Sequence, residues 1–306
     1  MSDLRFDGRV AIVTGAGRGL GRAYALLLAA RGASLVVNDL GVEPDGTGQS
    51  AVPAEDVVRE IVAAGGSAVA SSASAATPEG AAETVEVAVQ AFGGVDILVN
   101  NAGVIMPASF PVTSLDLFQQ LMTVNLFSVV CMTQAAWPML QRARGNIVNT
   151  SSAAILGVEP LAAYGASKGS IFALTRSVAL SGAEYGIRVN NILPMGATRM
   201  LDHAGYAVPS DDARKVMEEE QAPSKVAPVA AFLAHEDCPV TGKSFSAGMN
   251  RISLVYIGET AGYRSPTFSI EEIAEHFEEV MALDNFFDFR DCDAMLAYVM
   301  SLPPMS

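Results

Sequence analysis

Positive charge is scarce in this chain. Its 306 residues include 19 lysines and arginines against 33 aspartates and glutamates, a formal net charge of −14. Nucleic acid and anionic membrane surfaces both need basic patches, so neither is expected as a partner. A local anion site is untouched by that argument, because backbone N–H groups at a helix start can supply one. Cysteine is nearly missing too. Cys131, Cys238 and Cys292 are far apart and odd in number, which fits no disulfide framework and no zinc spacing. They read as buried or incidental thiols of a reducing compartment. His203, His235 and His276 are equally scattered, so no metal site is expected. No apolar run looks long enough to cross a bilayer, and a strand begins almost at once with no signal peptide before it. Pro303-Pro304-Met305-Ser306 is not a peroxisomal address. The expectation is a soluble cytoplasmic protein without internal repeats or low-complexity linkers.

Apolar residues are plentiful. Half of the chain is hydrophobic and 17% charged, enough to bury a sizeable core. Val10-Ala11-Ile12-Val13 reads as a short buried strand. Thr14-Gly15-Ala16-Gly17-Arg18-Gly19-Leu20-Gly21 follows, then a helical stretch over 22–31 that Gly32 ends. Leu35-Val36-Val37-Asn38 is a second apolar run, with Asp39 at its end. Strand, glycine loop, helix, strand, acid is the order of a dinucleotide-binding unit. Gly15, Gly19 and Gly21 permit a tight turn and close approach of backbone to a pyrophosphate. Arg18 and Leu20 stand among them at the helix start, where N–H groups carry partial positive charge. Asp39 is placed to accept hydrogen bonds from ribose hydroxyls and to repel a 2′-phosphate, which favours NAD over NADP. Arg18 pulls weakly the other way. The plainer alternative is a structural turn.

Farther on, 41–50 reads as a solvated connection. A helix is expected over 57–64, a weak third strand at Ala68-Val69-Ala70, and a helix over 78–92. Val95-Asp96-Ile97-Leu98-Val99 is a fourth strand, and Asn101-Ala102-Gly103 comes just after it. Small residues at a strand's carboxyl end suit close approach of a cofactor, or a plain turn. A long helix is expected over 114–141, bent near Pro138, with Asn125 inside it. That asparagine is either a satisfied core amide or a polar group near an active site. A strand over 187–192 leads to Pro194-Met195-Gly196-Ala197-Thr198 as a turn. Residues 199–222 read either as a lid over substrate or as a solvated helix and loop. A helix over 223–235 and a strand at Ser244-Phe245 close the main body, 1–255. The remainder, 256–306, reads as a helical extension with helices over 269–283 and 291–302. Ile270, Ile273, Ala274, Phe277, Val280 and Met281 form a packing stripe, against the chain's own core or another subunit.

The chemistry gathers between Ser151 and Lys168. A serine pair, Ser151-Ser152, closes the apolar run Ile147-Val148, and Tyr164 and Lys168 follow at helix spacing. Residues four apart on a helix share a face. A free tyrosine, with a pKa of about 10, is a poor base at neutral pH. A neighbouring ammonium favours the phenolate and brings proton exchange with an alcohol or carbonyl oxygen into range. A serine hydroxyl can hold that oxygen meanwhile. Alone, the pair reads better as two ordinary residues on a helix surface; the rest of the chain reverses that.

Together, Thr14-Gly15-x-x-x-Gly19-x-Gly21, Asn101-Ala102-Gly103, Asn125, the Ser-Tyr-Lys set and Pro194 resemble the short-chain dehydrogenase/reductase family. The resemblance implies a doubly wound Rossmann-type α/β fold with a parallel sheet of about seven strands, usually in a homodimer or homotetramer. It implies Tyr164 as general acid/base, Lys168 lowering its pKa and holding the nicotinamide ribose, and a serine polarising the substrate oxygen. It also implies Asn125 fixing a water in the proton path, and Thr198 or its neighbours holding the carboxamide. Within the family, Val37-Asn38-Asp39-Leu40-Gly41, Ala135-Ala136-Trp137 and His235-Glu236 look like units that oxidise a (3R)-hydroxyacyl-CoA or a hydroxysteroid with NAD. The rival from another class is a non-catalytic dinucleotide-binding sensor or scaffold. Three positions depart from the family pattern. Ser151 satisfies the usual spacing to the tyrosine, but strand register, with one residue lost from the following loop, favours Ser152 as the catalytic serine. Ala73 stands where an adenine-contacting aspartate is expected, and Met195 replaces a common glycine.

Overall fold

The computed structural model describes residues 3–43, 47–196, 210, 215 and 219–302. The chain forms two compact units, Met1–Leu254 and Val255–Ser306. In the first, strands β1 (Val10–Thr14), β2 (Ser34–Asn38), β3 (Ser67–Ser71), β4 (Ile97–Asn100), β5 (Asn146–Thr150), β6 (Arg188–Pro194), β7 (Ser244–Gly248) and β8 (Arg251–Val255) make one sheet. Their order is β3-β2-β1-β4-β5-β6-β7-β8. Helices α1 (Gly19–Ala30), α2 (Val52–Ala63), α3 (Pro78–Phe92), α4 (Leu115–Leu121), α5 (Ser128–Ala143), α6 (Ala162–Gly182) and α7 (Pro223–Ala234) connect them. The order of strands reverses between β1 and β4, and ligands of such sheets bind outside the strands' carboxyl ends at that reversal.

The strands are continuous apolar runs because both faces are covered. Every residue of β1, β4 and β5 is buried. Alternate side chains go to opposite layers. Ala11, Val13, Leu35 and Val37 pack against Leu28, Val57, Val226 and Leu233. Val10, Ile12, Val36 and Leu98 pack against Val85, Met132 and Leu140 on the other face.

The first seven strands pair in parallel. The sheet carries one strand more than the seven expected. Met249 and Asn250 alone separate β7 from β8, and both have positive φ, 52° and 53°. That is the backbone of a tight hairpin, so β8 runs back antiparallel to β7. Other expectations shift locally. Helix α2 starts at Val52 rather than 57, with Pro53 in its first turn, where a missing N–H costs nothing. Pro138 lies inside α5 without ending it. The irregularity of the long helical region falls instead at Met122–Phe127, a π-helical turn between α4 and α5. That stretch, Leu115–Ala143, is long and apolar enough by composition to cross a membrane, contrary to the expectation of no such run. Its Leu121, Met132, Ala136 and Leu140 are fully buried in the folded unit.

The second unit holds a two-stranded antiparallel sheet, Glu259–Thr260 with Phe286–Phe287. Its helices are Ile270–Glu275, Phe277–Met281 and Cys292–Ser301. The helix expected over 269–283 is therefore broken at His276. None of the described residues from 255 to 302 is buried.

Candidate active site

The loop after β1 is stitched to the loop after β4. The Thr14 hydroxyl oxygen accepts the backbone N–H of Asn101 and Ala102, at 3.0 and 3.1 Å. The Asn101 side-chain amide donates to the carbonyls of Thr14 and Gly15, both at 3.1 Å. Space between these loops is set by glycine. A Cβ on Gly21 would sit 2.2 Å from the Gly15 carbonyl oxygen. One on Gly15, which also has φ +62°, would sit 2.8 Å from Ala102 Cα. Gly19 turns the chain into α1 with φ +55°. Leu20 lies under Gly196, the last described residue before 210.

Asp39 is held by the loop it faces. Its Oδ2 accepts Gly17 N–H and its Oδ1 accepts Gly41 N–H, each at 2.7 Å. Gly17 was not singled out by the sequence reasoning, yet a Cβ there would meet Pro53 at 2.6 Å and the Asp39 carboxylate at 2.9 Å. The signal was available in the run Thr14 to Gly21, where Gly17 falls outside the fingerprint spacing. Arg18 turns toward 42–43, donating to the Val42 carbonyl at 3.4 Å and lying 3.8 Å from Glu43. Its charge is thus partly answered within the protein. The carbonyl of Ala73 accepts the Asn38 side-chain amide at 2.9 Å.

Tyr164 and Lys168 share the inner face of α6, 7% and 3% exposed. Tyr164 belongs to an apolar cluster with Val104, Ile105, Leu121, Ala154, Leu161 and Ala163. The Lys168 Nζ donates to the Thr150 carbonyl at 3.0 Å, at the end of β5, and lies 6.0 Å from the Tyr164 ring centre. Burial pushes the lysine pKa down to about 8, since a desolvated ammonium is disfavoured.

The two serines have different surroundings. Ser151 is buried; its hydroxyl donates to the Lys168 carbonyl at 2.6 Å, and its N–H is held by Asn191. Ser152 is half-buried and its Oγ accepts Ala154 N–H at 3.1 Å, which leaves the hydroxyl proton to donate elsewhere. The turn it opens, Ala153–Leu156, packs on α6, where a Cβ at Gly165 would lie 2.9 Å from the Ala154 carbonyl. Asn125 is fully buried in the π-helical turn and bonds both backbone groups of Val104. Gly103 lies beside it: a Cβ there would be 2.9 Å from Asn125 Oδ1 and 3.2 Å from Lys168 Nζ. Pro194 ends β6 half-buried. Thr198 and most of 199–222 lie outside the described residues. No group of three or more His, Cys, Asp or Glu residues suited to a metal occurs among the described residues.

A parallel sheet with glycine-lined loops at its reversal, and a Tyr–Lys helix beside them, defines an α/β oxidoreductase. Residues 9–205 match the short chain dehydrogenase family, and the chain belongs to the short-chain dehydrogenases/reductases. It is 37% identical over 279 residues to a short-chain type dehydrogenase/reductase of Mycobacterium tuberculosis, covering 90% of this chain and 94% of that one. It is 43% identical over 241 residues to peroxisomal multifunctional enzyme type 2 of Drosophila melanogaster, covering 78% of this chain and 38% of the relative's length. The solved full-length structure of that enzyme gives a TM-score of 0.78 at 30% identity, over 97% of this chain and 49% of the other. A 7α-hydroxysteroid dehydrogenase solved with NADH and 7-oxo glycochenodeoxycholic acid gives 0.71 at 30% identity, over 81% and 97%.

Proposed function

We propose that the protein interconverts a secondary alcohol and a ketone with NAD, with Tyr164 exchanging the oxygen-bound proton. The observation that carries this reading is the buried Tyr164–Lys168 face set beside Gly103 and the serine-bearing end of β5. The loops also suit a dinucleotide: at Gly15, Gly17, Gly21 and Gly103 a Cβ would strike neighbours at 3 Å or less. Backbone N–H groups at the start of α1, 19–21, would hold its pyrophosphate and Asp39 its ribose hydroxyls. When bound, the nicotinamide supplies hydride acceptance or donation at carbon. On the protein side, Ser152 donates to the substrate oxygen, and Tyr164 takes the alcohol proton in oxidation or returns it in reduction. Lys168 keeps a positive charge near the phenolate, and the apolar cluster around Tyr164 excludes water.

Apolar surroundings support an apolar alcohol, of the hydroxysteroid or 3-hydroxyacyl thioester kind. The segments after β4 and β5 are pinned together where Ala108 N–H donates to the Pro160 carbonyl at 2.8 Å. They expose Phe110, Val112 and Leu156, at 65%, 80% and 78%. The deciding experiment is NADH formation by the purified protein, with a (3R)-hydroxyacyl-CoA and a 17β-hydroxysteroid side by side, and NADP beside NAD. Turnover of either alcohol with NAD is the expected result. Dinucleotide binding without turnover across a broad alcohol and ketone panel would leave the sensor reading in its place.

Ser152→Ala is expected to lower kcat/KM roughly 100-fold through loss of a donor to the reacting oxygen. Ser151→Ala should mainly lower the melting temperature, because its hydroxyl ties α6 to β5. Steady-state kinetics and thermal melts of both variants check this; the opposite pattern would make Ser151 the catalytic serine.

We further infer a homodimer or homotetramer. The second unit buries none of its described residues, and Ile270, Phe277, Met281 and Leu296 stand more than half exposed. A second copy of the chain would cover them. Light scattering should return two or four times 31.9 kDa; a monomer at micromolar concentration would refute this.

A further inference from the structure

The turn carrying Asn125 and the helix carrying Tyr164 are joined by Ser167, whose side chain is fully buried. Its hydroxyl donates to the Tyr164 carbonyl at 2.8 Å. A hydroxyl has one proton, so toward Asn125 it accepts. The Asn125 Nδ2 donates to it at 2.9 Å and to the Val104 carbonyl at 3.1 Å. The Asn125 Oδ1 accepts Val104 N–H at 2.8 Å. Val104 N–H can only donate and its carbonyl can only accept, so the amide has one orientation. The contacts run without a break from the loop after β4, through Asn125 and Ser167, to the first turn of α6.

Half of this arrangement is ordinary. Serine commonly bonds back to a carbonyl on its own helix, and Ser170 does so to Ser167 at 2.6 Å. The amide arriving from another element is the added feature. The same helix repeats it once, farther along. Asn149 Nδ2 donates to the Thr175 hydroxyl at 3.0 Å, and that hydroxyl donates to Ile171 at 2.8 Å. The second bond touches neither Tyr164 nor the loop after β4, so it is an internal control of matched chemistry.

We propose that Ser167 is a positioning residue for the proton transfer at Tyr164. Through the Asn125 amide it holds the first turn of α6 in register with Gly103 and Val104. Without its hydroxyl, a buried Asn125 N–H loses its acceptor and the amide loses its tie to α6. Tyr164 and Lys168 then sample other settings relative to that loop. The inference rests on Tyr164 as the proton-exchanging group.

The test compares Ser167→Ala and Ser167→Cys with Thr175→Val, using kcat, KM, the pH profile of kcat and thermal melts. Ser167→Ala should lower kcat about tenfold, the size expected when a buried donor loses its partner in the reacting arrangement. KM for dinucleotide and alcohol should stay within about twofold on the same argument. The limb of the pH profile that Tyr164→Phe removes should move. Ser167→Cys, of similar volume and with a weaker acceptor, should fall between, which also covers the case that the alanine variant folds poorly. Thr175→Val should lower the melting temperature and leave kcat and the pH limb in place. If Ser167→Ala and Thr175→Val both lower only the melting temperature, Ser167 is merely structural and the proposal is wrong. Failure of the underlying reading looks different: Tyr164→Phe would then keep about a tenth or more of the unmodified protein's turnover, too small a loss for a general acid/base.

Discussion

Tyr164→Phe is expected to lower turnover about 1,000-fold, the middle of the range for removing a general acid/base. The change deletes one oxygen and keeps the ring. That ring sits among Val104, Ile105, Leu121, Ala154 and Leu161, so packing should persist. Lys168 cannot easily take over, because it points its Nζ at the Thr150 carbonyl and spends its length reaching it. Dinucleotide affinity should change little, because the glycine loops and Asp39 are untouched. Rapid single-turnover kinetics with titration of NADH binding separates the two effects. Retention of even a tenth of the activity would remove Tyr164 from the chemistry.

Gly21→Ala should abolish measurable dinucleotide binding and lower the melting temperature. A Cβ at this position would lie 2.2 Å from the Gly15 carbonyl oxygen and 2.5 Å from the Asn101 side-chain nitrogen. The first of these is backbone and cannot swing aside. Either α1 moves away from β1 or the Gly15 carbonyl turns, and both spoil the loop that would receive the pyrophosphate. Overpacking of this kind costs about 1–3 kcal/mol of stability. Loss of several aligned N–H groups weakens binding by at least about 100-fold, at roughly 1.5 kcal/mol for each charge-assisted bond. Gly94→Ala is the fitting control, since nothing lies within 4 Å of a Cβ there. Tight NADH binding by Gly21→Ala, measured by calorimetry, would show that this loop does not hold the dinucleotide.

Much of the fold was legible because buried parallel strands are continuous apolar runs of fixed polarity. Runs such as Val10 to Val13 and Leu35 to Asn38 could be read directly, and the glycine loop between them carried its own spacing. Hairpin β7–β8 was missed because Met249 is a poor announcement of a positive-φ turn, and β8 buries none of its residues. The π-helical turn was missed because one inserted residue leaves the helical apolar pattern on either side of it intact, and Pro138 drew attention one helix too late. Asp39 was legible as an acid at a strand end. Its engagement by Gly17 and Gly41 was not, because those bonds come from backbone brought in by the turn.

The sequence by itself determined the strand-loop-helix order, the dinucleotide unit and the Tyr164–Lys168 pair, since each depends on residues close together in the chain. Only the tertiary structure decided which serine keeps a donatable proton, that Lys168 is desolvated, and that Ser167 meets Asn125 across 42 residues. Those outcomes depend on how α6 settles against β5 and the π-helical turn. Burial and hydrogen-bond partners are properties of packed neighbours, and local spacing does not carry them.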